Sequence, residues 1–144
     1  MDSNNSSAHS DLGVIYNDQG KPADELASYQ NAIQVDPRNA FTHLNLGVVY
    51  RKQGKLEDAI TEYQQTLQID PNYVMAHLGL GYIYHIQGKL DKAIAKCQLV
   101  IDLPFDSRFG ILPSANACLG LGHIYKRQGK LDDALAKFRT SNAD

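Results

Sequence analysis

Three scarcities narrow what this chain can be. It carries only two cysteines, Cys97 and Cys118, in 144 residues, and neither belongs to a Cys-x-x-Cys pair. A disulfide-stapled secreted domain is therefore excluded, and a reducing, cytoplasmic compartment is expected. No apolar run approaches the roughly 20 residues a helix needs to span a bilayer. The opening Met1-Asp2-Ser3-Asn4-Asn5-Ser6-Ser7 is polar, unlike a signal segment, so no membrane role is expected. Charge of one sign is also lacking: 14 basic and 16 acidic side chains leave a net charge of -2. No global field draws the molecule to nucleic acid. What remains is 43% hydrophobic and 21% charged, a balance that supports one folded core without metal or disulfide.

The order within that composition is a repeat. Leu12-Gly13-Val14-Ile15-Tyr16, Leu46-Gly47-Val48-Val49-Tyr50, Leu80-Gly81-Tyr82-Ile83-Tyr84 and Leu121-Gly122-His123-Ile124-Tyr125 are one element written four times. Their glycines step by 34, 34 and then 41 residues. A second marker follows each: Gln19-Gly20-Lys21, Gln53-Gly54-Lys55, Gln87-Gly88-Lys89 and Gln128-Gly129-Lys130. Glycine just past an apolar periodic run stops a helix, because it takes a left-handed cap without strain. Beyond each glycine the apolar spacing is again helical: Leu56, Ala59, Ile60, Tyr63 and Leu67; Leu90, Ala93, Ile94 and Cys97; Leu131, Ala134, Leu135 and Phe138. Pro22 opens one of these runs, where its missing N–H costs nothing. Asp36-Pro37 and Asp70-Pro71 close two of them, since proline disfavours a helical predecessor. The pattern predicts eight helices, over 7–18, 22–35, 40–52, 56–69, 74–86, 90–102, 115–127 and 131–141.

With the Leu-Gly-x-x-Tyr element, the glycine before the second helix, the small Ala59, Ala93 and Ala134, the aromatic Tyr29, Tyr63 and Phe138, and the Asp-Pro ends all in register, the chain resembles the tetratricopeptide repeat (TPR) family from Ser6 to Asn142. The resemblance implies an all-α fold: a right-handed superhelical solenoid of four helix-turn-helix repeats. Repeat one covers 6–39, repeat two 40–73, repeat three 74–101 and repeat four 115–144, with an inserted loop over 102–114 and no clear capping helix. Stacking buries the apolar face that a lone helical pair leaves open. Three departures stand out. Glu25 replaces the small alanine in repeat one, so that first pair is expected to be looser or open on one side. Cys97 replaces the aromatic residue of repeat three, and His9, His43, His77 and Cys118 occupy the slot where the family often has tryptophan.

The resemblance further implies a non-catalytic scaffold or adaptor whose first helices line a concave groove. Carried over residue by residue, the groove-facing positions are Ser7, Ser10, Val14, Asn17 and Asp18 in repeat one, and Phe41, Leu44, Asn45, Val48, Arg51 and Lys52 in repeat two. Repeat three adds Met75, Leu78, Tyr82, His85 and Ile86. Repeat four adds Asn116, Leu119, His123, Lys126 and Arg127. An apolar middle beside a basic edge fits a protein or peptide with apolar anchors and acidic flanks. The alternative is that these apolar residues are inter-repeat core and the cations a solvated face. The family's chaperone-tail binders hold a terminal carboxylate with Lys, Asn and Arg at fixed slots. Here those slots carry Ser10, Val14, Asn45, Met75 and Gly79, and only Asn45 matches, so that partner is not expected.

Catalytic and metal readings fare worse. His9, His43 and His77 recur at the repeat period, but neighbouring repeats place equivalent residues about one helix-packing distance apart, roughly 8–10 Å. Two zinc bonds of about 2 Å cannot bridge that. Cys97 and Cys118 read as buried small hydrophobes. The acidic pairs Glu57-Asp58 and Asp132-Asp133 lie early in helices, where they favour the dipole. No phosphate loop or serine nucleophile element occurs, so no cofactor is expected. The inserted loop, with Phe105, Phe109, Ile111 and Leu112, either caps the gap between repeats or meets a partner. Because no capping helix follows repeat four, a second functional reading stands beside the groove. The chain would then act as an assembly module, as a piece of a longer repeat protein or as a homodimer joined through Leu131, Leu135 and Phe138.

Overall fold

A computed structural model describes residues 3–102 and Lys137. All of its ordered elements are helical: α1 (Ser3–Asp18), α2 (Pro22–Val35), α3 (Ala40–Lys52), α4 (Leu56–Ile69), α5 (Val74–Ile86) and α6 (Leu90–Asp102). The chain divides into two compact units, Met1–Tyr73 and Val74–Asp144. The helix expected over 115–127, the one expected over 131–141 apart from Lys137, and the 102–114 insertion beyond Asp102 lie outside the described residues. So does Cys118.

Each hairpin is made by the same local chemistry. The chain leaves α1, α3 and α5 through Gly20, Gly54 and Gly88, whose φ values are 67°, 76° and 74°. A side chain at those angles would be strained. Helix α2 begins on Pro22, as the position of a missing N–H requires. The junctions between hairpins are extended at Asp36 (φ −137°) and Asp70 (φ −134°), each followed by proline. Their carboxylates close small turns. Asp36 Oδ1 accepts from the Arg38 amide at 3.0 Å, and Asp70 Oδ1 accepts from the Asn72 amide at 3.1 Å.

In the first unit the hairpins pack by glycine against an aromatic ring. A Cβ on Gly13 would sit 2.4 Å from Tyr29, and one on Gly47 would sit 2.7 Å from Tyr63. Only a bare backbone allows such an approach. Between hairpins, Tyr29 on α2 packs with Leu46 and Val49 on α3, flanked by Leu26, Ile33 and Tyr50. Buried hydroxyls join α1 and α3, with Ser10 Oγ 2.7 Å from Thr42 Oγ1. In the second unit, Ala76, Leu80 and Ile83 of α5 and Ala93, Cys97 and Val100 of α6 are buried. Lys137, from the stretch read as the eighth helix, is helical and donates from Nζ to Gln98 Oε1 on α6 at 2.9 Å.

One expectation needs correction and another is narrowed. Helix α1 starts at Ser3 rather than near residue 7. Ser and Asn are weak helix formers, but Ser6 is buried and its hydroxyl donates to the Ala32 carbonyl at 3.1 Å, so docking on α2 holds the extra turn. Of the two alternatives for the first pair, looser or open on one side, the structure shows the second: Glu25 is itself buried, while Leu12 and Ile15 of α1 are exposed.

Candidate partner-binding surface

Taking the glycine of each Leu-Gly-x-x-Tyr element as a reference, equivalent helical positions stay open to solvent in each unit. In the first unit this stripe holds Ser7, Val14, Asn17 and Asp18 on α1 and Phe41 and Lys52 on α3; in the second it holds Met75, Tyr82 and Ile86 on α5. Eight large hydrophobic residues are exposed among the described residues, and five of them fall at these positions, Val14 and Phe41 in the first unit and Met75, Tyr82 and Ile86 in the second. Helix geometry explains the grouping, because positions seven and four apart share a face. Met75, Tyr82 and Ile86 are each about half exposed, at 49%, 51% and 51%. Exposure of this kind on one face is what a docking surface requires.

Not every residue expected in the groove is open. Leu44 is buried at 9% exposure and Ser10 is buried against Thr42, so both belong to the floor beneath the stripe. Asn45, Val48, Arg51, Leu78 and His85 are half-buried. Arg51 turns inward to donate to the Tyr63 hydroxyl, while burial pushes that phenol's pKa up. In the first unit the structure joins two of the expected residues directly: Lys52 Nζ donates to Asn17 Oδ1 at 2.9 Å, linking α3 to α1. The same ammonium acts on Glu25, whose carboxyl is raised by burial and pulled back by Lys52. The basic edge of repeat two is thus partly spent within the fold. Asn116, Leu119, His123, Lys126 and Arg127 lie outside the described residues.

One polar site escaped the sequence reading. His43, expected as a packing residue, is buried, but its Nδ1 lies 2.7 Å from Glu62 Oε2 and its Nε2 lies 2.8 Å from the Pro37 carbonyl. A carboxylate and a carbonyl both accept, so the arrangement favours the doubly protonated ring. The Glu62 hydrogen bond raises the His43 pKa and burial opposes it, with the Pro37 carbonyl adding to the rise. The available signal was the charge of the second helix at this slot: Glu62 in repeat two, Ser28 in repeat one and Lys96 in repeat three. No group of three or more His, Cys, Asp or Glu residues able to hold a metal occurs among the described residues. No helix among them is long and apolar enough to cross a membrane.

Comparison with known proteins agrees with the packing. A TPR repeat family model matches residues 15–54 and 48–88, and tetratricopeptide repeat models match residues 76–106 and 117–141. No curated protein sequence gives a significant match. Among solved structures, MamA is similar over 99% of this chain and 79% of its own, at 26% identity and a TM-score of 0.82. PilF of Pseudomonas aeruginosa matches 96% of this chain and 60% of its own, at 20% identity and a TM-score of 0.81. The first TPR domain of Spaghetti (RPAP3), solved bound to the HSP90 peptide SRMEEVD, matches 90% of this chain and 99% of its own, at 20% identity and a TM-score of 0.78.

Proposed function

Since the chain belongs to the tetratricopeptide repeat family, we propose that it is a protein-interaction scaffold that holds a partner peptide or helix along its first helices and acts by binding rather than by catalysis. In this reading four repeats and eight helices wind into a right-handed solenoid whose concave wall carries the open stripe, and the protein works in the cytoplasm. The observation that carries it is the concentration of exposed apolar residues on that stripe, with Phe41 on α3 and Met75, Tyr82 and Ile86 on α5. These side chains would supply the anchoring energy, because a few buried aromatic and aliphatic contacts dominate most interfaces. Lys52, together with Lys126 and Arg127 of repeat four, would favour acidic flanks.

The Spaghetti neighbour shows that this fold can hold a peptide. Its peptide is not carried over, because Met75 and Gly79 stand where a terminal carboxylate needs cations. The test is selection from a displayed peptide library on the purified chain. Ligands with apolar anchors are expected, and combining Phe41→Ala with Tyr82→Ala should weaken them tenfold or more while leaving the unfolding midpoint in place. Selected peptides that bind the double variant as well as they bind the wild type would refute the reading.

A further inference from the structure

Glu25 occupies a slot that Ala59 and Ala93 fill in the next two repeats, and both alanines are 0% exposed. Packing at this slot asks only for a methyl group. Glu25 is itself 6% exposed, yet its carboxylate takes no hydrogen bond and no close ion pair from the described residues. A buried carboxylate left in that state costs the fold free energy. Its oxygens are not sealed off, so a solute can reach them.

The cations around it are turned elsewhere. Lys52 attracts Glu25 from α3, but its Nζ donates to Asn17 Oδ1, a neutral acceptor, at 2.9 Å. Lys21, in the turn before α2, holds its ammonium over the Tyr16 ring at 5.9 Å. The acid side is doubled instead. Burial pushes the Tyr29 phenol up to about 12, and the charges of Glu25 and Asp18 add to that rise, so both carboxylates act on the same ring. Asp18 is exposed at the end of α1, one helical turn beyond the exposed Val14 of the stripe.

We propose that Asp18 and Glu25 form a subsite for the cationic head of an arginine or lysine side chain in the bound peptide, beside the apolar contact at Val14. This rests on the stripe being a peptide-binding surface, and it names the residue that the peptide presents to repeat one. Arginine fits better than lysine, because a guanidinium fork can donate to two carboxylates at once. Glu25 is then a recognition group that the sibling repeats, with alanine, do not have.

Two experiments on the full chain test it. In the first, N-acetylarginine amide is titrated in while carbon NMR follows the side-chain carboxyls of Asp18 and Glu25, with the uncharged N-acetylcitrulline amide as control. The arginine probe should shift both signals, the citrulline probe neither, and high salt should weaken the response. In the second, a displayed peptide library is selected on wild type, Glu25→Gln and Glu25→Ala. Glu25→Ala restores the sibling residue and should keep its helical circular dichroism, and Glu25→Gln keeps the side-chain volume. Wild-type ligands should carry arginine or lysine at a fixed spacing from an apolar anchor, and should bind either variant about tenfold more weakly, as loss of a charge-assisted hydrogen bond implies. Ligands selected on the variants should keep the anchor and lose the basic residue. Equal shifts with both probes, or apolar anchors without a basic preference, overturn the subsite and leave the stripe standing. A library that yields no ligand on any of the three proteins counts against the stripe, and the arginine probe then decides by itself whether the two carboxylates hold a cation.

Discussion

The second and third repeats share a plan and differ in what fills it. In repeat two the Tyr63 ring lies under Gly47 and its hydroxyl takes a hydrogen bond from Arg51, while His43 is locked between Glu62 and the Pro37 carbonyl. In repeat three the ring is replaced by Cys97, a Cβ on Gly81 would meet Sγ at 3.3 Å, and Lys96 stands in the slot of Glu62. Lys96 has its pKa lowered by burial. At these slots one hairpin has a ring and an ion pair, the other a thiol and a lysine. The same backbone therefore tolerates two interiors, and the stability stored in each should differ.

The largest expected effect comes from removing the ring. Tyr63→Ala should cost about 3–5 kcal/mol, as truncation of a buried aromatic does, whereas Cys97→Ala should cost about 1 kcal/mol. Urea titrations of both variants measure this, and equal losses would erase the contrast. Next come the glycines. Gly47→Ala forces a methyl into the Tyr63 ring and should cost about 1–3 kcal/mol through overpacking. Gly81→Ala meets a softer neighbour, so its gain in helix propensity of up to about 1 kcal/mol should offset most of the crowding.

A smaller and pH-dependent difference follows from His43. Its folded pKa lies above the ordinary 6.5, so its contribution is fully present below that value and is lost as pH rises through the folded pKa. The stability gap between wild type and His43→Gln should be widest in mild acid and shrink in mild alkali. Glu62→Gln should return the imidazole toward its usual range in an NMR titration.

Much of the fold was legible because its signals are local. Gly20, Gly54, Pro22, Asp36-Pro37 and Asp70-Pro71 each dictate a backbone state by themselves, and the described helices from α2 onward begin and end where those residues place them. The start of α1 was not legible, because Ser6 is held by a carbonyl on another helix, which no propensity encodes. The open stripe followed from periodicity and family resemblance, but depth did not: Leu44 and Phe41 read alike in sequence, yet one is floor and the other is open. The inward turn of Arg51 and the ion pair of His43 depend on partners 12 and 19 residues away. Composition cannot show such pairings.

The Ser10–Thr42 contact has one more consequence. Greasy surfaces slide over one another at little cost, so leucines and valines alone would set α1 beside α3 only loosely. Two hydroxyls 2.7 Å apart in a dry seam cannot slide, since a shift of one residue would leave both without a partner where water does not reach. That pair works as a detent, fixing the pitch at which the first repeat clicks onto the second.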